Sequence, residues 1–142
     1  MLKNSGLDTP IEWVAPNHAP LNGKMYDGII LGWGAYIHVK GKENRIRFIK
    51  EMGTHIENGA PFLLSYWYAN PKADAYCTKL YKVNKLFCHL FFTNPIEKGE
   101  RLSPMSGHYF TQEEIEQELI AGGFRIIYQG AYPYGHSVAV KI

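Results

Sequence analysis

Hydrophobic and polar positions change period several times along the chain, and each change marks an element. Pro10 to Ala15 alternates apolar and polar side chains, the pattern of a short strand. Pro16 to Gly23 is a loop by composition. Tyr26 to Leu31 then predicts a strand covered on both faces, as parallel sheets require. From about Lys42 to Ile56 the apolar residues Ile46, Phe48, Ile49, Met52 and Ile56 recur at near-helical spacing. Arg45, Lys50 and Glu51 face elsewhere, so one side of this helix packs on a sheet. Gly53 weakens it by about 1 kcal/mol relative to alanine. Phe62 to Tyr68 predicts a second buried strand, closed by Asn70-Pro71.

Beyond Pro71 the pattern is less regular. Ala75, Leu80, Val83, Leu86, Phe87 and Leu90 suit a helix from Lys72 to about Phe92, and Asn94 to Gly107 reads as a polar loop. Thr111 and Glu114 form a capping box for a helix from Gln112 to Ala121, which Gly122-Gly123 stops. Phe124 to Ala131 and Ser137 to Ile142 are strands joined across Tyr132 to His136. So short a link requires an antiparallel hairpin, because a parallel return needs a crossover of about a dozen residues or more.

Composition narrows the function classes. At 142 residues and 46% hydrophobic content the chain is expected to form a single α/β domain over residues 1–142 with its own core. A net charge of +2 argues against a nucleic-acid partner, since the cluster Lys79, Lys82 and Lys85 is explained by a solvated helix face. Cys77 and Cys88 fit no zinc or redox spacing, so a reducing, cytoplasmic setting is expected. Neither Met1-Leu2-Lys3-Asn4 nor any later run suggests a signal segment or a membrane span. The six histidines show no metal-ligand spacing, and Ser65 and Ser106 lack the context of an activated nucleophile. Aromatic residues crowd between Tyr66 and Phe92; core packing is the preferred reading, with a partner surface or a substrate pocket as the others.

Two passages carry a resemblance. In the first, the strand ending at Leu31 runs into Gly32-Trp33-Gly34, a helix follows, and Asn58-Gly59-Ala60-Pro61 opens the apolar run Phe62-Leu63-Leu64-Ser65. In the second, His108-Tyr109-Phe110-Thr111-Gln112-Glu113-Glu114-Ile115 is followed by Leu119-Ile120-Ala121-Gly122-Gly123-Phe124. At this separation they resemble the C-terminal portion of class I S-adenosylmethionine (SAM) dependent methyltransferases, from about residue 11 onward. The resemblance implies a partial Rossmann-like sheet, mostly parallel with an antiparallel C-terminal hairpin, and SAM as cofactor. It places Asn17, His18, Gly32, Trp33, Gly34 and Ala35 at the cofactor and Tyr36, Tyr66, Trp67 and Tyr109 at the substrate, with His38 as the candidate general base. The residues also admit an Asx-type turn at Asn17-His18, a tight turn at Gly32 and Gly34 with Trp33 packed inward, and, as the preferred reading of His38, a backbone hydrogen bond at a helix start. Where the family commonly carries an aspartate near the adenine, this chain has Asn17, whose amide both donates and accepts.

No glycine-rich loop follows a strand upstream of residue 25, where the family holds its cofactor. Asp27 to Gly34 is a rival for that loop, but its third glycine position is Ile37, and the next strand ends in aromatics rather than a ribose-binding acid. The main placement leaves the strand at residues 26–31 without a neighbour. A long apolar edge is then exposed, which implies a longer protein or a homodimer covering it. Methyl transfer to a small-molecule substrate is the leading function, and a non-catalytic module for self-association or protein binding is the alternative.

Overall fold

The computed structural model describes residues 13–15, 18–20, 23–91, 96–101 and 106–142. Its elements are β1 (Ile29–Leu31), a single 3-10 turn (Ala35–His38), α1 (Lys42–Gly53), β2 (Pro61–Tyr68), α2 (Pro71–Phe91), β3 (Glu100–Arg101), β4 (Gly107–Phe110), α3 (Gln112–Ala121), β5 (Phe124–Gly130) and β6 (Gly135–Lys141). The strands form one six-stranded sheet centred on β2.

Pairing fixes the strand directions. Strand β2 pairs in parallel with β1, from Ile29 opposite Phe62 to Leu31 opposite Leu64, and its far end pairs in parallel with β4 through Trp67–Tyr109 and Tyr68–Phe110. Against β6 it runs antiparallel from Pro61–Val140 to Tyr66–Gly135, and β6 carries β5 on its other side, also antiparallel. Thus β1, β2, β4 and β5 point one way, while β6 and the short β3 are reversed. The architecture is the expected α/β sheet with a C-terminal antiparallel hairpin.

The core lies on one face of this sheet. Phe62, Leu64 and Tyr66 alternate inward from β2 and meet Phe48 and Ile49 of α1, Ile115 and Leu119 of α3, and Phe110, Phe124 and Ala139 of the neighbouring strands. The opposite face departs from expectation. Ile30 is 76% exposed and Leu63 36%, so β1 and β2 are covered on one side only, because α1 and α3 pack on the same side of the sheet. Among the described residues β1 hydrogen-bonds to β2 alone, which leaves its outer edge unpaired.

Other differences have local causes. Trp13 to Ala15 form no strand and Trp13 is fully exposed; the remainder of the predicted strand at 10–15 lies outside the described residues. Helix α1 stops at Gly53, which abuts the Phe124 ring, and Ile56 instead bridges to Tyr26. The polar stretch before Thr111 contains β3 and β4, held partly by the Tyr109 amide donating to the Gly99 carbonyl at 2.9 Å. In α3 the capping box forms as expected, with Glu114 N donating to Thr111 Oγ1 at 3.1 Å and Thr111 N to Glu114 Oε2 at 2.8 Å. Helix α2 buries only Cys77 and Cys88, so Tyr76, Phe87 and Phe91 are exposed and the core reading of the aromatic cluster holds for Tyr66 but not for them.

Gly135 begins β6 opposite Tyr66, and a Cβ there would collide with the Tyr66 ring. Gly135→Ala should therefore lower unfolding stability by about 1–3 kcal/mol through overpacking, measured as a shifted denaturant midpoint at unchanged m-value. An unshifted midpoint would contradict this packing.

Candidate functional site

At the carboxyl end of β1 the chain reverses through Gly32-Trp33-Gly34-Ala35. Trp33 (φ 56°) and Gly34 (φ 65°) are both left-handed, and Ala35 N donates to the Gly32 carbonyl at 3.1 Å, the pattern of a type I′ turn. Glycine takes that conformation freely; tryptophan takes it under strain. The turn is tied to the sheet by Ser65, whose Oγ accepts from Gly34 N at 3.1 Å and donates to the Leu31 carbonyl at 3.4 Å. As a result the Trp33 side chain projects fully into solvent.

An open pocket of about 560 Å³ lies beside this turn, lined by Gly32, Trp33, Gly34, Ser65, Tyr66, Trp67 and Tyr134. Trp67 is braced by the Tyr109 ring at 5.2 Å, and Tyr109 in turn accepts from Arg101 Nη1 at 3.2 Å. Tyr66 is anchored through its hydroxyl, which accepts from Gln129 Nε2 at 3.3 Å. Tyr134 comes from the turn between β5 and β6. The walls are aromatic, and among the described residues no carboxylate or histidine lines them.

A buried ionic cluster supports the segment that follows the turn. Tyr36 is fully buried in the 3-10 turn and donates to Glu118 Oε2 of α3 at 2.5 Å. Glu118 also accepts from Arg45 Nη2 at 2.7 Å, and Arg45 Nη1 donates to Glu97 at 2.8 Å. Glu97 reaches further, accepting from Lys42 N at 2.7 Å, so a residue distant in sequence caps the first turn of α1. Burial works against the Arg45 charge, but Glu118 and Glu97 outweigh it and hold the guanidinium's pKa above its ordinary value. Burial, and then the Glu118 carboxylate, push the Tyr36 phenol far upward.

His108 sits at the rim of this cluster, its ring tilted against Phe110 with centroids 4.4 Å apart, with Glu97 3.9 Å from Nδ1 and Glu114 3.8 Å from Nε2. Burial raises the pKa of Glu97, yet the Arg45 hydrogen bond, Lys42 N and the charges of Arg45 and His108 bring it below the ordinary value. Burial likewise opposes ionisation of Glu114, and His108 and the Thr111 backbone reverse the balance.

The residues singled out from sequence separate into groups. Gly32, Trp33, Gly34, Tyr66 and Trp67 come together at the pocket. Ala35 closes the turn, and Tyr109 stands behind Trp67. Tyr36 points into the ionic cluster, where it braces the fold rather than touching the pocket. His38 donates from Nδ1 to the Ser106 carbonyl at 3.0 Å and does not line the pocket. His18 lies apart from it too, 3.6 Å from Glu51 in α1, whose Oε2 also accepts from Ala19 N at 3.1 Å. Asn17 lies outside the described residues. Sequence reasoning missed Tyr134 and the positioning role of Ser65; for Tyr134 the only signal was the aromatic pair flanking Pro133.

These residues fit SAM in part. Aromatic faces suit a sulfonium and its methyl group. The ribose hydroxyls and the amino-acid ammonium call for carboxylates, and among the described residues the pocket walls offer none.

Two outcomes follow from the ionic cluster. Glu118→Ala leaves buried Arg45 with Glu97 as its one carboxylate partner among the described residues and Tyr36 without its acceptor, and should lower stability by about 3–5 kcal/mol, whereas Arg45→Met combined with Glu118→Leu should restore most of it; equal losses in both, by chemical denaturation, would contradict the pairing. The folded-state pKa values of Glu97 and Glu114 lie below the unfolded ones, so the unfolded chain binds more protons as pH falls. The contribution of these two carboxylates should be fully present above about pH 6 and be lost from about pH 5 downward as the unfolded carboxylates titrate near 4.3, so that the acid decline in stability is shallower in Glu97→Gln. An unfolding-stability profile with the same acid slope in that variant would contradict it.

No protein-family model matches the sequence, and no curated protein matches it. Solved structures do share its fold. A SAM-dependent methyltransferase from Methanosarcina mazei superposes with a TM-score of 0.67 at 20% identity, covering 91% of this chain and 65% of that one. A SAM-dependent methyltransferase from Clostridium acetobutylicum gives 0.67 at 11% identity, covering 99% of this chain and 68% of the other. The sugar N-methyltransferase KedS8 from Streptoalloteichus gives 0.65 at 13%, with 98% of this chain and 65% of that protein covered. The chain thus spans about two thirds of the length of these neighbours. Its fold is that of the SAM-dependent methyltransferases, with the aromatic pocket at the carboxyl ends of β1 and β2.

Proposed function

We propose that this chain forms the methyl-donor and acceptor side of a SAM-dependent methyltransferase whose substrate is a small-molecule nucleophile. The supporting observation is the aromatic pocket at the carboxyl ends of β1 and β2, where open α/β sheets take their ligands. When bound, SAM supplies an electrophilic methyl group on a sulfonium. In this reading Trp33 and Trp67 hold that positive end against their ring faces, worth about 0.5–2 kcal/mol. Tyr66 and Tyr134 wall the acceptor and fix its approach, and alignment of donor and acceptor is the main source of rate. Because the described residues of the walls include no base, the acceptor in this reading is one that attacks without deep deprotonation, such as an amine, and its proton leaves through the open mouth. Two structural neighbours, KedS8 and the amino pentose methyltransferase CalS10, carry amino sugars or sugar nitrogen in their names, which agrees with that chemistry.

The ribose and adenine contacts are assigned to elements beyond the described residues. The edge of β1 that no described residue pairs is where a further strand would add, and a second copy of this chain is the partner proposed for it. The chain alone should therefore hold SAM weakly, with a dissociation constant on the order of 1 mM.

Tryptophan emission tests the reading directly. SAM should quench it with that weak midpoint, neutral S-adenosylhomocysteine should do so less, and Trp33→Ala or Trp67→Ala should weaken the effect about 2- to 30-fold, as a lost cation–π contact predicts. No response at saturating SAM, or one indifferent to both substitutions, would exclude the pocket as the donor site. Sedimentation should give a mass of two chains; a strict monomer would remove the second copy from the account and leave the pocket intact.

A further inference from the structure

Helix α2 lies along the rest of the fold by one side only. Cys77 and Cys88 are buried there, and the 96–101 segment runs beside them, with Ile96 N donating to Asn84 Oδ1 at 2.9 Å and Lys98 3.8 Å from Asp74. The outward side is apolar where a solvated helix would be polar. Tyr76, Val83, Phe87 and Leu90 recur at intervals of seven, four and three residues and form one exposed stripe, widened by Leu86 and Phe91. At its far end Leu90 is 61% exposed and Phe91 70%.

Charge follows the same helix. Lys72 and Lys79 fall in line with the stripe near its start and Lys82 flanks it, all three exposed, while Lys85 lies on the opposite side of the helix with its ammonium 6.0 Å from the Tyr81 ring. Asp74 is the helix's lone acid and already faces Lys98; no carboxylate occurs from Ala75 to Phe91. A basic, amphipathic helix with an aromatic end has the composition of an interfacial segment. Lysine stems of this kind extend along apolar surface while the ammonium reaches outward.

From these observations we propose that α2 is a docking face for an anionic lipid bilayer, on which it lies flat with Val83, Leu86, Phe87, Leu90 and Phe91 sunk below the headgroups and the lysines against lipid phosphates. Two copies meeting through α2 would bring lysines together with no carboxylates to neutralise them, which disfavours self-association by this face. A protein groove that wraps a helix needs both its sides, and the Cys77–Cys88 side is taken. A planar surface needs only the exposed half. This is peripheral binding: among the described residues no helix is long and apolar enough to cross a membrane. The proposal is independent of the methyl-transfer reading.

The test is co-sedimentation of the full chain with vesicles of phosphatidylglycerol and, separately, of phosphatidylcholine. Binding to phosphatidylglycerol should be at least ten-fold tighter than to phosphatidylcholine and should weaken as salt rises. Lys79→Glu with Lys82→Glu, and Leu86→Ser with Leu90→Ser, should each reduce it at least ten-fold while circular dichroism stays unchanged, since all four side chains are exposed. Equal binding to both vesicles, no binding to either, or binding indifferent to both variants would overturn the proposal. So would a mass that rises with concentration and falls to monomer in the Leu86 and Leu90 variant without vesicle binding, which would assign the stripe to a second copy.

Discussion

The pairing of Arg45 with Glu118 is the interaction around which the site is organised. Both side chains are buried, and removing two charges from water costs several kcal/mol each before their attraction is counted. The pair is tolerable because its remaining hydrogen-bonding capacity is used: Glu118 also accepts from Tyr36, and Arg45 also donates to Glu97. Those extra bonds join α1, α3, the 3-10 turn and the segment before β3 at one point. The Gly32-Trp33-Gly34 turn lies immediately before Tyr36, so the position of the pocket wall is set from beneath by this cluster and from the side by Ser65. A pair of apolar side chains in the same volume would pack well, but it would not fix the direction of the Tyr36 ring or cap α1 through Glu97.

The second constraint is the uneven cover of the sheet. With α1 and α3 on one face, the residues that alternate to the other face, such as Ile30 and Leu63, are left partly in water, and among the described residues β1 has one unpaired edge. Apolar side chains on an open sheet face and an unpaired strand are both features that folded proteins normally cover. The neighbours with the same fold are about half as long again as the matched segment. These facts agree with the proposal that this chain carries the aromatic end of the site and that the nucleoside end is built from elsewhere.

Local rules were enough for much of this fold. The capping box at Thr111 and Glu114, the stop at Gly122-Gly123 and the short link between β5 and β6 are signals contained within a few residues, and each appears in the structure. What sequence left hidden depends on partners far along the chain. Arg45 reads as a solvent-side charge of α1, and it is buried because Glu118, 73 positions later, meets it. Strand β4 is too short to stand out from the polar stretch around it and exists through its pairing with the end of β2. The irregularity between Ile126 and Tyr128 in β5 has no periodic trace. For the site, glycine spacing and the aromatic residues at the strand ends were legible. The backbone hydrogen bond of His38, here to Ser106, agrees with the preferred reading of a histidine at a helix start, whereas the turn of Tyr36 toward Glu118 was not legible, since it follows from the left-handed turn at Trp33-Gly34 and the ionic cluster beneath it.

The most direct test of this account is a crystal structure of the chain grown with a high concentration of SAM. The methyl-bearing end should lie against Trp33 and Trp67, with the ribose hydroxyls touching no carboxylate among the described residues of the same chain. A nucleoside bound away from these tryptophans, or one whose ribose is gripped by such a carboxylate, would contradict it.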